Sequence, residues 1–386
     1  MDRNKKRLGQ RIRCSTVDEE YWALVPQPLP PDQLELIGLQ TLIEKASQAL
    51  GRLDGLATVL PDPHLFLYVY VRKEAVLSSQ IEGTQSSLSD LLLYESEESP
   101  GVPLDDVQEV SNYVAAMTHG LTRLKDGFPL SMRLIKEIHA VLMTGARGGS
   151  KAPGEFRRTQ NWIGGSRPGN AAYVPPPPDK VMECMSDLEK YLHKKDDKLP
   201  LLVRAALVHH QFETIHPFLD GNGRLGRLLI TLLFCSEGIL TEPLLYLSLY
   251  FKTHREEYYS LLQRVREDGE WEEWLRFFLV GVIEIASQAT QAARDILNMI
   301  QTDKAKIAAI GRGAGSAIQV YQYLEKQPLA VIPKVTKALG LTTPTVTAAM
   351  NNLKQLGIVR EITGKQRGRV FVYDAYLKIL EKGTEA

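Results

Sequence analysis

The chain has 386 residues, 44% hydrophobic and 24% charged, an ordinary globular composition with apolar material enough for two or three domains. Lysine plus arginine equals aspartate plus glutamate at 46 each, so the molecule is no polyelectrolyte and any nucleic-acid surface has to be local. The three cysteines (Cys14, Cys184, Cys235) are few, widely spaced and odd in number, which excludes a disulfide framework or a zinc-type spacing and fits a reducing compartment. The basic start MDRNKKRLGQRIRC has no apolar stretch behind it, and runs such as 228–235 are too short to span a bilayer. The expectation is a cytoplasmic protein with no membrane partner.

Residues 1–31 read as an irregular arm ending in the proline-rich VPQPLPP. Helical periodicity then dominates. Leu34, Leu36, Ile37, Leu42 and Ile43 set an apolar stripe, and Pro61-Asp62-Pro63 punctuates it. Helices are predicted over 64–82, 87–95, 105–124 and 131–144, with SEESPGVP as a polar loop. Residues 145–178 change character: GEFRRTQNWIGGSRPGNAAYVPPPP is rich in Gly and Pro and reads as an exposed hairpin or flap. Helices resume over 179–194, 199–214, 223–236, 253–267 and 270–298. The glycine-alternating IGRGAGS reads as a linker, because no strand precedes it. Beyond it, helices over 317–326, 331–339 and 344–356, with Thr342 or Thr343 capping the last, precede β-rich runs at 358–362 and 370–373 around the basic tip TGKQRGR. Three helices and a hairpin predict a winged helix-turn-helix.

The chemistry is concentrated in HPFLDGNGRLGR, residues 216–227. Gly221 to Gly226 fits the G-x-G-x-x-G pattern of a dinucleotide turn, but the preceding VHHQFETIHPFLD is polar at its centre and continues a helix, so that reading fails on context. A calcium loop fails because its twelfth position is Thr231. His209, His210, Glu213 and His216 have helical offsets but match no zinc arrangement. Read physically, Gly221-Asn222-Gly223 opens a helix whose exposed N–H groups form an anion nest. Arg224 and Arg227, three apart, can clamp further phosphates from one face. Asp220 suits a divalent cation shared with phosphate oxygens, and His216 has the pKa range to accept a proton from a hydroxyl. This is a constellation for phosphoryl or nucleotidyl transfer.

HPFLDGNGRLGR resembles the Fic-domain signature H-x-F-x-[DE]-G-N-G-R-x-x-R at every defined position. The resemblance implies a mainly α Fic-fold core with a small hairpin flap, and transfer of AMP from ATP to a Ser, Thr or Tyr hydroxyl of a target protein or of the chain itself. It implies that His216 deprotonates the hydroxyl and that Asp220 holds Mg2+ or Mn2+. Gly221, Asn222, Gly223, Arg224, Leu225, Gly226 and Arg227 are then the nucleotide-binding run, with Asn222 on the α-phosphate and the two arginines on the β- and γ-phosphates. Within that run, Gly226 completes the dinucleotide pattern by coincidence. Tyr259 matches a position near the adenine, with Tyr258 adjacent. Asn161, Trp162, Ile163, Gly164 and Tyr173 match a flap that pairs with an extended target segment.

Ser78-Ser79-Gln80-Ile81-Glu82-Gly83 resembles the inhibitory [ST]-x-x-x-E-[GN] pattern of Fic proteins that carry their inhibitor ahead of the core. A glutamate is disfavoured near a helix C-terminus, so a cationic partner is expected, and Arg227 is the obvious one. The same glutamate could support removal of AMP. The implied organisation is an arm (1–31), an inhibitory helical region (32–104), a catalytic core (105–303), a linker (304–315) and a winged helix (316–386). The competing reading is a DNA-binding regulator with a nucleotide-sensing body. Residues 316–386 hold ten Lys or Arg against five Asp or Glu, with Lys365, Arg367 and Arg369 on the presumed wing. The pattern also admits a homodimer.

Overall fold

The computed structural model describes residues 6–57, 63–95, 102–145, 150–194, 198–363 and 369–382. The first five residues, the Pro61-Asp62 break, most of the SEESPGVP loop and the wing tip with Lys365 and Arg367 lie outside the described residues.

The arm is not irregular. Strands β1 (Gln10–Ser15) and β2 (Glu20–Val25) form an antiparallel hairpin with Gln10 opposite Val25 and Ser15 opposite Glu20. Tyr21 and Ala23 alternate inward, while Trp22 faces solvent. Arg7 fixes the base of the hairpin: it is 4% exposed and grips both carboxylate oxygens of Glu272 at 2.7 and 2.8 Å.

The body is helical: α1 (Gln40–Ala57), α2 (Pro63–Ile81), α3 (Leu88–Glu95), α4 (Leu104–Lys125), α5 (Met132–Leu142), α6 (Pro178–Leu192), α7 (Leu201–Ile215), α8 (Asn222–Ser236), α9 (Ser248–Thr253), α10 (Arg255–Asp268) and α11 (Trp271–Ala308). Ser131 caps α5 by accepting from the Leu134 N–H. Helix α7 is sheathed by α1, α6, α8 and α11, so LLVRAALVHHQFETI is buried on nearly every face, its polar residues included. Where one helix was expected over 253–267, the chain breaks at His254 and begins α9 earlier.

Helix α11 is the main departure from expectation. It runs 38 residues, ten past the predicted end and through the expected start of the linker. Gly311 and Gly313, both with positive φ, then make a tight turn into α12 (Ala314–Lys326). The expected boundary at 304 therefore falls inside a helix. Asp303 near its end is buried and accepts from Tyr373 Oη at 2.7 Å, and Tyr373 also meets Tyr321 at 2.7 Å. After α12 come β3 (Leu329–Val331), α13 (Ile332–Leu339), α14 (Thr343–Gln355), β4 (Arg360–Glu361), β5 (Val370–Val372) and α15 (Asp374–Glu381). The strands form an antiparallel sheet of order β3-β5-β4, and Thr342 caps α14. Helices α12 and α15 pack on α2 and α11, joining this unit to the body.

Candidate active site

The site forms where α7 stops and α8 starts. His209 and His210 are buried packing groups: His209 Nδ1–H donates to the Gly226 carbonyl at 2.9 Å and Nε2 accepts from Tyr258 Oη at 2.9 Å. His210 Nε2 donates to the Leu262 carbonyl at 3.1 Å. Burial pushes His209 down to about 3, so it stays neutral and links α7 to α8 and α10. Among the described residues no group of three or more His, Cys, Asp or Glu side chains is arranged to hold a metal ion.

His216 terminates α7 in the left-handed conformation, φ 49° and ψ 59°, its N–H still bonded to the Phe212 carbonyl at 2.9 Å. A non-glycine residue there is strained and persists only where its surroundings hold it. Three groups do so. Arg157 donates to the carbonyls of His216 (3.0 Å), Ile215 (3.4 Å) and Pro176 (2.5 Å), and its own N–H binds the Pro217 carbonyl at 2.9 Å. Arg266 donates to the Glu213 carbonyl (3.1 Å), and Tyr173 Oη to the Thr214 carbonyl (2.6 Å). Two cations on the last carbonyls also suit the negative end of the helix. Burial, with Arg266 and Arg157 nearby, lowers His216 to about 3. Its imidazole is therefore neutral at physiological pH and able to accept a proton.

The following loop is pinned from both sides. Phe218 is fully buried and stacks on His139 with centroids 3.7 Å apart. His139 accepts from the Gly154 N–H at Nδ1 (2.9 Å) and donates from Nε2 to the Asp220 carbonyl (3.0 Å). The Asn222 amide bonds both main-chain groups of Phe218 at 2.9 Å. Asp220 remains half exposed, and its Oδ1 accepts the Gly221 N–H at 2.6 Å. Gly221 has φ 76°, and a Cβ there would lie 2.8 Å from Met143 Sδ. At Gly223 a Cβ would collide with Glu82 Oε1, so that carboxylate rests against the first turn of α8.

Arg227, fully buried, donates from Nη2 to Glu82 Oε1 (2.7 Å) and the Ser78 carbonyl (2.8 Å), and from Nε to Ser78 Oγ (2.9 Å). Burial favours a neutral Glu82, but Arg227 outweighs it and holds the carboxyl below its ordinary range. Arg224, also buried, meets Glu109 at 3.3 Å and Met143 Sδ at 3.6 Å. Glu213 is buried beside this cluster, with Oε1 lacking a hydrogen-bond partner among the described residues, and burial raises it to about 7. Tyr258 is buried on His209, whereas Tyr259 is 40% exposed with Arg255 over its ring at 5.7 Å.

Residues 40–122 match the model of the Fic/DOC family N-terminal region, and residues 129–234 that of the Fic/DOC family. The chain belongs to the Fic/DOC family. Similar curated proteins include the protein adenylyltransferase Fic of Aedes aegypti, 29% identical over 262 residues (62% of this chain, 49% of that protein). Another is that of Culex quinquefasciatus, 32% identical over 204 residues (51% and 37%). The matches thus span about half or less of those relatives' length. A Fic family protein from Desulfovibrio desulfuricans aligns with 89% of this chain and 98% of its own at TM-score 0.59 and 20% identity, a likeness of fold.

The Fic/DOC region and the N-terminal region ahead of it together bring His216, Asp220, Gly221, Gly223, Arg224, Arg227, Glu82 and Ser78 into one site, with Tyr259 at the rim. Four expectations are refined. Asn222 uses its side chain to hold both main-chain groups of Phe218, so it shapes the nest. Leu225 lies in the core, and Gly226 faces α7, where a Cβ would collide with Glu213, so the glycine at 226 answers a close approach and not only a sequence pattern. Of the flap residues, Tyr173 is buried on α7 and Asn161 bonds the His216 and Phe218 carbonyls, so both anchor the flap. Trp162 and Gly164 are its exposed positions beside the Ile163–Tyr173 bridge. Sequence reasoning missed Arg266, His139 and Glu109, which lie outside any short motif; it met Arg157 only as part of the flap stretch and Glu213 only as a zinc candidate. The one readable signal was a need for cations at the end of α7.

Proposed function

We propose that this chain is an autoinhibited protein adenylyltransferase, with ATP as nucleotide and a protein hydroxyl as acceptor. The observation that carries the reading is the Glu82 carboxylate seated on Arg227 and against Gly223, where a polyphosphate would meet the positive end of α8. In the open state Arg227 and Arg224 hold the terminal phosphates. The nest N–H groups, shaped by Asn222, bind the α-phosphate, and Tyr259 borders the adenine. His216 takes the proton of the attacking hydroxyl as its oxygen bonds to the α-phosphorus, and the bond to the β-phosphate oxygen breaks to release pyrophosphate. Asp220 fits a divalent cation, since its carboxylate is half exposed and, among the described residues, only Oδ1 is hydrogen-bonded, to the Gly221 N–H. Bound Mg2+ or Mn2+ would supply neutralisation of phosphate charge.

In this reading Glu82 and Ser78 inhibit by withholding Arg227. The flap offers its 161–164 edge to an extended target segment, and the chain itself is among the acceptors. The unit from α12 to α15 is proposed as a winged helix that acts on the body through α2 and α11, in line with its packing there. Among the described residues no helix is long and apolar enough to cross a membrane. Incubating wild type, Glu82→Gly and His216→Ala with ATP and Mg2+ and measuring intact mass tests the assignment. Gain of AMP units in Glu82→Gly and none in His216→Ala is expected; no adduct in Glu82→Gly with any acceptor overturns it.

A further inference from the structure

A cavity of about 790 Å3 lies away from this site, between α2, α9, α11 and α15. Its size is that of small-molecule pockets, and its walls are largely apolar. Helix α2 contributes Tyr70, Lys73, Glu74 and Leu77, whose spacing puts them on one face. Leu77 directly precedes Ser78, which holds Arg227 through two hydrogen bonds. The same helix therefore has one face on the cavity and its end on the α8 site. Ile379 and Leu380 of α15 close the far side, so the cavity exists only while the C-terminal unit is docked.

The wall carries Lys73, Gln288, Gln291, Asp295, Lys378 and Lys382, and its buried carboxyl is Glu74, 2% exposed. Its Oε1 accepts from Tyr113 Oη at 3.2 Å and from Ser248 Oγ, whereas Oε2 has no partner among the described residues. A buried carboxyl oxygen without a donor is an unmet hydrogen bond that a ligand donor can complete. Lys73, the nearest cation on the helix, is turned toward the end of the chain, where Nζ donates to the Lys382 carbonyl at 2.9 Å.

We propose that this cavity binds a small amine with an aromatic or aliphatic body. The amine sits on Glu74 and the body lies against Leu77, Tyr246, Leu249 and Ile285. Occupancy is transmitted along α2 to Ser78 and Arg227; this second half rests on the reading of Arg227 as a phosphate ligand. Phenethylamine, phenylbutylamine and the corresponding alcohols, titrated into the full chain by ligand-observed NMR, test it. Amines of this size should bind with Kd on the order of 1 mM. Ala292→Trp, which fills the cavity from α11, should weaken them at least about tenfold, and Glu74→Gln should do so for the amines but not the alcohols. Equal binding to wild type and Ala292→Trp, or none at about 10 mM, overturns the site. A saturating amine should change the affinity for a non-hydrolysable ATP analogue by about threefold or more. An unchanged affinity with the cavity filled removes the transmission. Failure of the analogue to bind even Glu82→Gly counts instead against the α8 reading and leaves the cavity assignment standing.

Discussion

Replacing Glu82 by Gln tests whether one ion pair sets the resting state. Arg227 Nη2 lies 2.7 Å from Glu82 Oε1, with the arginine side chain 2% exposed and the glutamate 37%. Removing one partner of a fully buried pair costs about 3–5 kcal/mol. The exposure of Glu82 screens it, and Ser78 still binds the guanidinium twice, so about 1–2 kcal/mol is expected here. A triphosphate must displace that same interaction to reach Arg227. Its loss should therefore tighten binding of a non-hydrolysable ATP analogue by roughly 5–30-fold. The variant should melt below wild type without nucleotide, gain more from the analogue, and label itself faster with labelled ATP. Glu82→Gly removes the residual amide contact and should go further. Wild-type affinity and labelling in both variants would refute the gate.

Three further outcomes follow from the supports of the site. Arg157→Ala strips the donors from the Ile215, His216 and Pro176 carbonyls, so thermal melts should show a loss of about 2–4 kcal/mol together with loss of transfer activity; an unchanged melt refutes the strut. Gly226→Ala drives a Cβ into Glu213 against packed Phe212, and denaturant unfolding should show about 1–3 kcal/mol of destabilisation where a coincidental glycine would show none. Burial raises Glu213 from 4.5 to about 7, so the folded state binds its proton more tightly than the unfolded state does. Its contribution is complete below pH 4.5 and is lost as pH rises to about 7, a difference of up to about 3 kcal/mol. Glu74, also raised to about 7, adds the same slope, and the lowered histidines add the opposite one. The test is therefore the difference between wild type and Glu213→Gln across that window; parallel curves refute the raised carboxyl.

The helical body was legible because its apolar periodicity is long and its breakers are strong, and the α7–α8 junction because its chemistry lies within twelve consecutive residues. The hairpin at 10–25 was hidden by Arg11 and Arg13, which make a two-residue alternation look like a basic tail. The end of α11 was misjudged because the stretch after Asn298 turns polar on its outer face while Ile300, Asp303 and Ile307 stay buried. Asp303 and Tyr373 are 70 residues apart, and no local pattern reveals that they bond. Motif matching treats defined positions alike, so it could not separate Asn222, which holds the loop at Phe218, from Arg227, which reaches across to Glu82 and Ser78. Tyr173 and Asn161 were misread for a related reason: a flap must be anchored as well as exposed.

The placement of Glu82 follows from how two helix ends meet. The C-terminus of α2, with its unsatisfied carbonyls, arrives at the N-terminus of α8, with its unsatisfied N–H groups. Cations from neighbouring helices cover the α2 end: Arg227 on the Ser78 carbonyl and Arg255 on the Ile81 carbonyl at 3.2 Å. That field accommodates a glutamate in a position a helix otherwise disfavours. A single carboxylate copies the charge of one phosphate group and no more. On the proposed reading, the inhibition it exerts is limited to the free energy of one screened ion pair. A triphosphate has several acceptors for the same donors and, in this reading, competes with the carboxylate for them. Ser78 resists movement of α2, since its carbonyl and hydroxyl bind Arg227 independently of the glutamate. Under the same reading, the position of α2 and the charge of Glu82 together set access to Arg227. If Arg227 is the phosphate ligand we propose, anything that shifts this helix, from its cavity face or from α15, should act on transfer without touching the nucleotide.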